Sequence, residues 1–355
     1  MWGSHSFALL ISLILNAGIK AEETHLNCPV LSAKGAPSIS IAFQYNDYGG
    51  TYAGYPNLRL PGAVKDRVFF NSIMSNNEFK GLSLRDSDFL NIKQIDALDF
   101  KNRKNKFIAK LKNQVQSHPS LFANFNFSGH GLLAQPSNSL ALLLPFPFLS
   151  AGVTHQLLNE CQINPATKQS SQHDFYTDNI VKIKTDKNRI RQIRCADLIL
   201  STEDIKNIFQ SRKIFGIIDS CNSAGIDKLK ESGMEFAFAH SAQCHQSAYQ
   251  TSYGSVFSEE IANALEDEKS DKNSDGRISL AEASEMAKLK ILENQEKKLA
   301  TIPSGISAQS EEKIKQKICL QNPGLSENGS TLLLRDMTLG LTPKNLDKVD
   351  PRKLH

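Results

Sequence analysis

Two short segments of this chain carry groups suited to attack on a carbonyl. Phe127-Ser128-Gly129-His130-Gly131 sets an imidazole between two glycines, and Asp219-Ser220-Cys221 sets a thiol behind a carboxylate. Cysteine attacks as its thiolate, and a free thiol has a pKa of about 8.5, so at neutral pH it needs a base. A neighbouring imidazole supplies one and stabilises the resulting ion pair. Gly129 and Gly131 allow a tight turn and a close approach of substrate backbone. The backbone amides of Gly131 and Cys221 are then candidates for an oxyanion hole. Asn222-Ser223-Ala224-Gly225 are expected to keep the exit from the nucleophile open.

His130 and Cys221 are far apart in sequence, so only the fold can join them. Leu121–Phe127 and Ile214–Ile218 read as buried strands, and each runs straight into one reactive segment. Ser38–Gln44, Phe236–Ala242 and Ser330–Leu334 read as further strands. Helical spacing covers Gly62–Ser75, residues 102–116, Thr202–Arg212, Val256–Leu265 and about 279–299. Ser201 or Thr202 is expected to cap the third of these, with Glu203 behind it. Residues 160–195 are polar, rich in Lys and Arg, and read as an irregular inserted loop. Strands alternating with helices predict a doubly wound, mostly parallel sheet. In such sheets the chemistry lies beyond the carboxyl ends of the strands. Both reactive groups should therefore emerge at one edge.

These motifs resemble the caspase, metacaspase and legumain group of cysteine peptidases. Phe127–Gly131 is similar to the group's histidine motif. Asp219–Gly225 is similar to its nucleophile motif, with Ala224 an extra residue. Asn46–Asp66, His240–Tyr249, Gly254–Leu265 and Asn322–Leu334 resemble flanking parts of the same domain, so the likeness spans roughly residues 38–335. About 132–200 matches poorly and reads as an insert. The resemblance implies a three-layer α/β sandwich with a mostly parallel, roughly six-stranded sheet and helices on both faces. It implies Cys221 as nucleophile, His130 as base and acid, and Gly131 and Cys221 amides as oxyanion donors. The reaction would be peptide hydrolysis through an acyl-enzyme. Asp66, Ser128 and Asp219 match the positions lining an acidic substrate pocket, which implies cleavage after Arg or Lys. Arg59 is the competing candidate, since caspases place near it an arginine that takes an acidic residue. The alternative function is a catalytically silent module of the same fold that binds peptide or protein.

Asp271 to Glu282 fits a twelve-residue EF-hand loop. Oxygen donors come from Asp271, Asn273, Asp275, Ser279 and Glu282, with the Arg277 carbonyl between and Gly276 at the sharp turn. A structural calcium ion is the expected ligand; the Cys-His chemistry needs no cofactor. His240, Cys244 and His245 could suggest a soft metal site, but packing accounts for them. Phe7–Ala17 has the length of a signal-peptide core, with cleavage expected after Ala21, so an exported chain without a stable membrane anchor is expected. The mature domain is then 22–340, with 341–355 as a tail. Six cysteines are compatible with disulfides in that compartment, but their pairing is not legible. The formal charge of +4 over 355 residues is small and argues against nucleic acid as a partner. Protein or peptide substrates are the expected partners.

Overall fold

The computed structural model describes residues 36–45, 58–76, 81–146, 149–161, 174–184, 189–251, 253–274, 276–318 and 321–328. The expected signal peptide, Asn46–Asn57, Cys28, Cys319, Asp275, Ser330–Leu334 and the tail lie outside these residues. The strands in chain order are β1 (Ser38–Ala42), β2 (Gly81–Leu84), β3 (Phe122–Ser128), β4 (Gly131–Gln135), β5 (Ser139–Leu143), β6 (Asp174–Tyr176), β7 (Ile180–Lys184), β8 (Ile190–Arg194), β9 (Ile199–Ser201), β10 (Lys213–Asp219), β11 (Phe236–His240), β12 (Gln250–Thr251), β13 (Gly254–Ser255) and β14 (Gly324–Asn328). The helices are α1 (Ala63–Asn76), α2 (Asp86–Leu90), α3 (Phe100–Gln116), α4 (Ala151–Glu160), α5 (Thr202–Phe209), α6 (Val256–Glu266), α7 (Leu280–Ala300) and α8 (Ala308–Ile318).

Six strands form one sheet in the order β14-β11-β10-β3-β1-β2. Its strands run parallel except β14, which is antiparallel to β11. The period of two sorts each strand between two cores. Ile39, Ile41, Phe125, Phe127, Ile214 and Ile218 pack toward Phe107 and Leu111 of α3 and Ile205 and Ile208 of α5. Phe215, Ile217, Ala237 and Ala239 pack toward Phe70 of α1, Phe257 and Ile261 of α6, and Leu280 of α7. The expected mostly parallel, six-stranded α/β sandwich with helices on both faces is therefore present.

The face of β3 opposite Phe125 and Phe127 is polar. Asn124 takes a hydrogen bond from Ser38 at 3.0 Å. The Asn126 amide donates to Ser40 at 3.2 Å, and its oxygen accepts from the Ile217 backbone N–H at 3.1 Å. Asn126 thus fills the ladder beside Gly216, where a Cβ would lie 2.0 Å from the Phe125 carbonyl. Buried amides stay only where their bonds are made. This pair fixes the register of the two strands that carry the reactive segments.

Two expectations change. The described residues of 160–195 are not an irregular loop: they supply β6 and the hairpin β7-β8, and β6 joins a second sheet, β6-β4-β5-β9, within the 132–200 insert. The hairpin's alternation was hidden by its charge. Val181, Ile183 and Ile193 are buried while Lys182, Lys184 and Arg194 face outward. Cys161 and Cys195 form a disulfide across this insert, with Cα atoms 5.6 Å apart and a sequence separation of 34. Closing a loop of that length removes unfolded-chain entropy worth about 4 kcal/mol. The last described strand is Gly324–Asn328, and the expected Ser330–Leu334 lies outside the described residues. The α5 cap is Ser201, but its reciprocal partner is Asp204, not Glu203. β2, absent from the sequence reading, is a four-residue edge strand.

Candidate active site

β3 and β10 pair in parallel, with Ser128 opposite Asp219. The Gly129 N–H donates to the Asp219 carbonyl at 3.2 Å, so the pairing persists to the start of both reactive loops. His130 and Cys221 accordingly leave adjacent strands at the same edge. A Cβ on Gly131 would sit 2.0 Å from the Cys221 carbonyl oxygen and 2.5 Å from Ser220 Oγ. Glycine here serves a close approach between two backbones. The two loops are further joined by Asn222, whose Nδ2 donates to the Gly131 carbonyl at 3.3 Å.

The His130 ring is oriented from both sides. Its Nε2 lies 2.8 Å from the Leu58 carbonyl oxygen. A carbonyl can only accept, so Nε2 carries the proton, and in a neutral ring of that tautomer the lone pair is on Nδ1. The Tyr45 ring packs on the imidazole, centroids 4.8 Å apart, and the buried Tyr45 hydroxyl donates to the Leu143 carbonyl. Leu60 N–H bonds the Gln44 carbonyl at 2.9 Å, which ties the Leu58 segment to the end of β1. Leu58 and Tyr45 were not among the expected site residues. A carbonyl contributed by an ordinary leucine has no side-chain signature.

Cys221 is part-buried. Its sulfur accepts the Ala248 N–H at 3.4 Å and a hydrogen bond from the Ser247 hydroxyl. Burial pushes the thiol up, against those two bonds, and the Asp219 charge pushes it further. Burial thus favours the thiol form over the thiolate. Residues after Cys221 differ from expectation. Ser223, Ala224 and Gly225 are buried at the start of a 3-10 helix, Ser223–Ser232. A Cβ on Gly225 would lie 2.9 Å from the Leu140 amide. Their small size serves packing against β5 and does not hold an exit open.

Asp66, Ser128 and Asp219 share the face of the sheet that α1 and α6 cover. Ser128 Oγ donates to Asp66 Oδ2 at 2.6 Å, and Ser255 N–H to Asp66 Oδ1 at 3.0 Å. Asp219 Oδ2 accepts from Ser258 N–H at 3.1 Å and Ser258 Oγ at 2.5 Å. Both carboxyls are nearly closed off, at 2% and 3% exposure. Burial, and then the Asp219 charge, raise Asp66 to about 7. Burial raises Asp219 as well. Charging both carboxyls of a buried pair is costly unless their charge is offset. Arg59 is exposed on the Leu58 loop, as a surface residue would be.

The Asp271–Glu282 loop is folded around its end carboxylates. Asp271 Oδ2 accepts the Gly276 N–H at 2.8 Å. Glu282 Oε1 accepts the Lys272 and Asn273 amides at 3.0 and 3.3 Å, and Oε2 caps α7 through Ser279. Ile278 points inward at 3% exposure. Both Glu282 oxygens thus hold backbone amides or the Ser279 hydroxyl, and a hard cation there would have to displace them. Among the described residues no cluster of His, Cys, Asp and Glu is gathered as a metal site. His240 is buried and Cys244 is exposed, so they serve different environments. Among the described residues no helix is long and apolar enough to cross a membrane.

No family model and no curated protein matches this chain. Solved structures similar to it include the following two. Protein GSU0716 from Geobacter sulfurreducens has a TM-score of 0.43 at 10% identity, covering 86% of this chain and 98% of its own. Caspase-1 from Spodoptera frugiperda has a TM-score of 0.40 at 12% identity, covering 83% of this chain and 87% of its own.

The raised Asp66 carboxyl makes stability depend on pH. Its folded value, about 7, lies above the 3.8 of an exposed Asp, so the folded chain holds this proton longer than the unfolded chain does. That stabilisation is complete below about pH 4 and is lost as pH rises toward 7. Asp66→Asn should flatten the fall in melting temperature between pH 5 and pH 8. Parallel melting curves for both proteins over that range would contradict this account of Asp66.

Proposed function

We propose that this chain is a cysteine endopeptidase that cuts after Arg or Lys and works outside the cytoplasm. The observation that carries the reading is that the loops bearing His130 and the part-buried Cys221 start side by side at adjoining strand ends. His130 Nδ1 is assigned the Cys221 proton as sulfur attacks the scissile carbonyl. Gly131 and Cys221 amides are assigned the developing oxyanion. Protonated His130 then gives its proton to the leaving amine. This breaks the C–N bond and leaves a thioester on Cys221. Water, deprotonated by His130, attacks the thioester, and the thiol returns with the acid product.

The Asp66, Ser128 and Asp219 cluster is assigned the substrate's cationic side chain. Binding such a cation would offset the cost of charging both carboxyls and draw Asp66 to its ionised form. The EF-hand-like loop is assigned a structural calcium ion held by Asp271, Asn273, Asp275, the Arg277 carbonyl, Ser279 and Glu282. Its location just before α7 makes it a brace for the helices behind the sheet.

Cys221→Ala should abolish hydrolysis and leave the melting temperature within a few degrees of the parent. In a fluorogenic peptide panel varying only the residue before the cut, Arg and Lys should exceed Asp by at least about 100-fold, the scale of a desolvated charge pair. Preference for Asp would remove the acidic pocket, and cleavage by the Cys221→Ala protein would remove the nucleophile. Absence of all cleavage by the parent chain would favour the silent peptide-binding module. Calcium at millimolar concentration should raise the melting temperature by several degrees, and Asp271→Ala should cancel the rise. An equal melting temperature in calcium and chelator would exclude the metal.

A further inference from the structure

Asn222 follows the candidate nucleophile and is wholly buried. Its backbone is left-handed, φ 57° and ψ 19°, a conformation that asparagine tolerates and glycine adopts freely. Its side chain and backbone N–H reach both the histidine loop and the segment after β11, while its carbonyl accepts the Gly225 N–H at 2.9 Å within its own turn. Its Nδ2 donates to the Gly131 carbonyl at 3.3 Å, on the loop that carries His130. Its Oδ1 accepts the His245 N–H at 2.8 Å. Its own N–H donates to the Gln246 carbonyl at 2.9 Å. The last two contacts hold the flap of residues 241–249. The root of that flap is separately fixed: Ser223 Oγ donates to the Ala242 carbonyl at 3.1 Å and accepts its N–H at 2.9 Å. Beyond Gln246, the next residues are Ser247 and Ala248, the two donors to the Cys221 sulfur.

We propose that Asn222 is a positioning residue. One side-chain amide locks the histidine loop and the flap to each other, and so holds the Ser247 and Ala248 donors on the Cys221 sulfur. The assignment rests on the peptidase reading for its catalytic consequence, though not for its chemical one. Hydrogen bonds strengthen when an acceptor becomes charged, so the two donors favour thiolate over thiol. Asn222 touches neither the sulfur nor a substrate and acts only through the loops it ties. A residue with a purely structural role would change stability without moving the ionisation of a sulfur it does not contact.

Asn222→Gly keeps the backbone conformation and deletes the amide. The test is the rate of Cys221 alkylation by iodoacetamide against pH, resolved from Cys244 by peptide mass spectrometry. The midpoint should rise by about one pH unit, slowing alkylation at pH 7 about tenfold. Ser247→Ala should raise it in the same direction and add little in the Asn222→Gly background, since both act through one contact. With a cleavable peptide, kcat should fall with KM within about twofold. An unchanged midpoint, with or without a lower melting temperature, overturns the proposal, as do strictly additive shifts. Should Asn222→Gly fail to fold, amide exchange of the parent decides. Protection of the His245 and Ala248 amides supports the clamp, and open-loop exchange at His245 overturns it. Alkylation needs no turnover, so a parent chain that cleaves nothing would sink the peptidase reading and leave this measurement standing.

Discussion

Everything at the candidate site depends on the register of β3 against β10. With Ser128 opposite Asp219, the histidine loop and the cysteine loop start side by side. A slip of one residue would turn Asp219 and Ser128 away from the helices that cover them and exchange the two cores. The chain guards this register with polar atoms inside the sheet. Asn126 bonds across to Ser40 and Ile217, and Asn124 bonds Ser38. An apolar β3 would pack as well but could slide. Buried amides are costly unless satisfied, so the correct register is the one that satisfies them.

That same register creates the electrostatic tension of the site. Period two puts Ser128 and Asp219 on the face where α1 carries Asp66, so two carboxyls meet in a nearly dry space. Serine hydroxyls and backbone amides at Ser128, Ser255 and Ser258 partly compensate. Burial still keeps Asp66 near neutrality. Sulfur is treated similarly: Ser247 and Ala248 offset the burial of Cys221 without cancelling it. Both groups are held short of their charged forms, which a cationic substrate and an imidazole base respectively would complete.

Much of this was legible in the sequence because it rests on short-range pattern. Apolar runs ending in Gly-His-Gly and Asp-Ser-Cys announced two strand ends and their reactive groups. Helices with strong apolar spacing fell within a few residues of their observed bounds. What escaped has physical causes. The β7-β8 hairpin hides three buried aliphatics among five basic and polar residues, so composition read it as loop. The disulfide between Cys161 and Cys195 depends on that hairpin's fold, and spacing alone gives no pairing. Leu58 acts through its carbonyl, which every residue has. The small residues after Cys221 suggested open space, but smallness there answers crowding by β5. Proximity between loops set the roles of these residues, and proximity is what a single sequence states least.

The central claim is that His130 and Cys221 act as one chemical unit. It is tested most directly with a peptidyl electrophile bearing Arg next to the reactive group, followed by mass spectrometry of the labelled chain. The account predicts rapid, stoichiometric modification of Cys221 in the parent and a fall of at least about 100-fold in labelling rate for His130→Ala, the usual scale of a lost general base. Equal labelling of the two proteins, or label on Cys244 in place of Cys221, would contradict it.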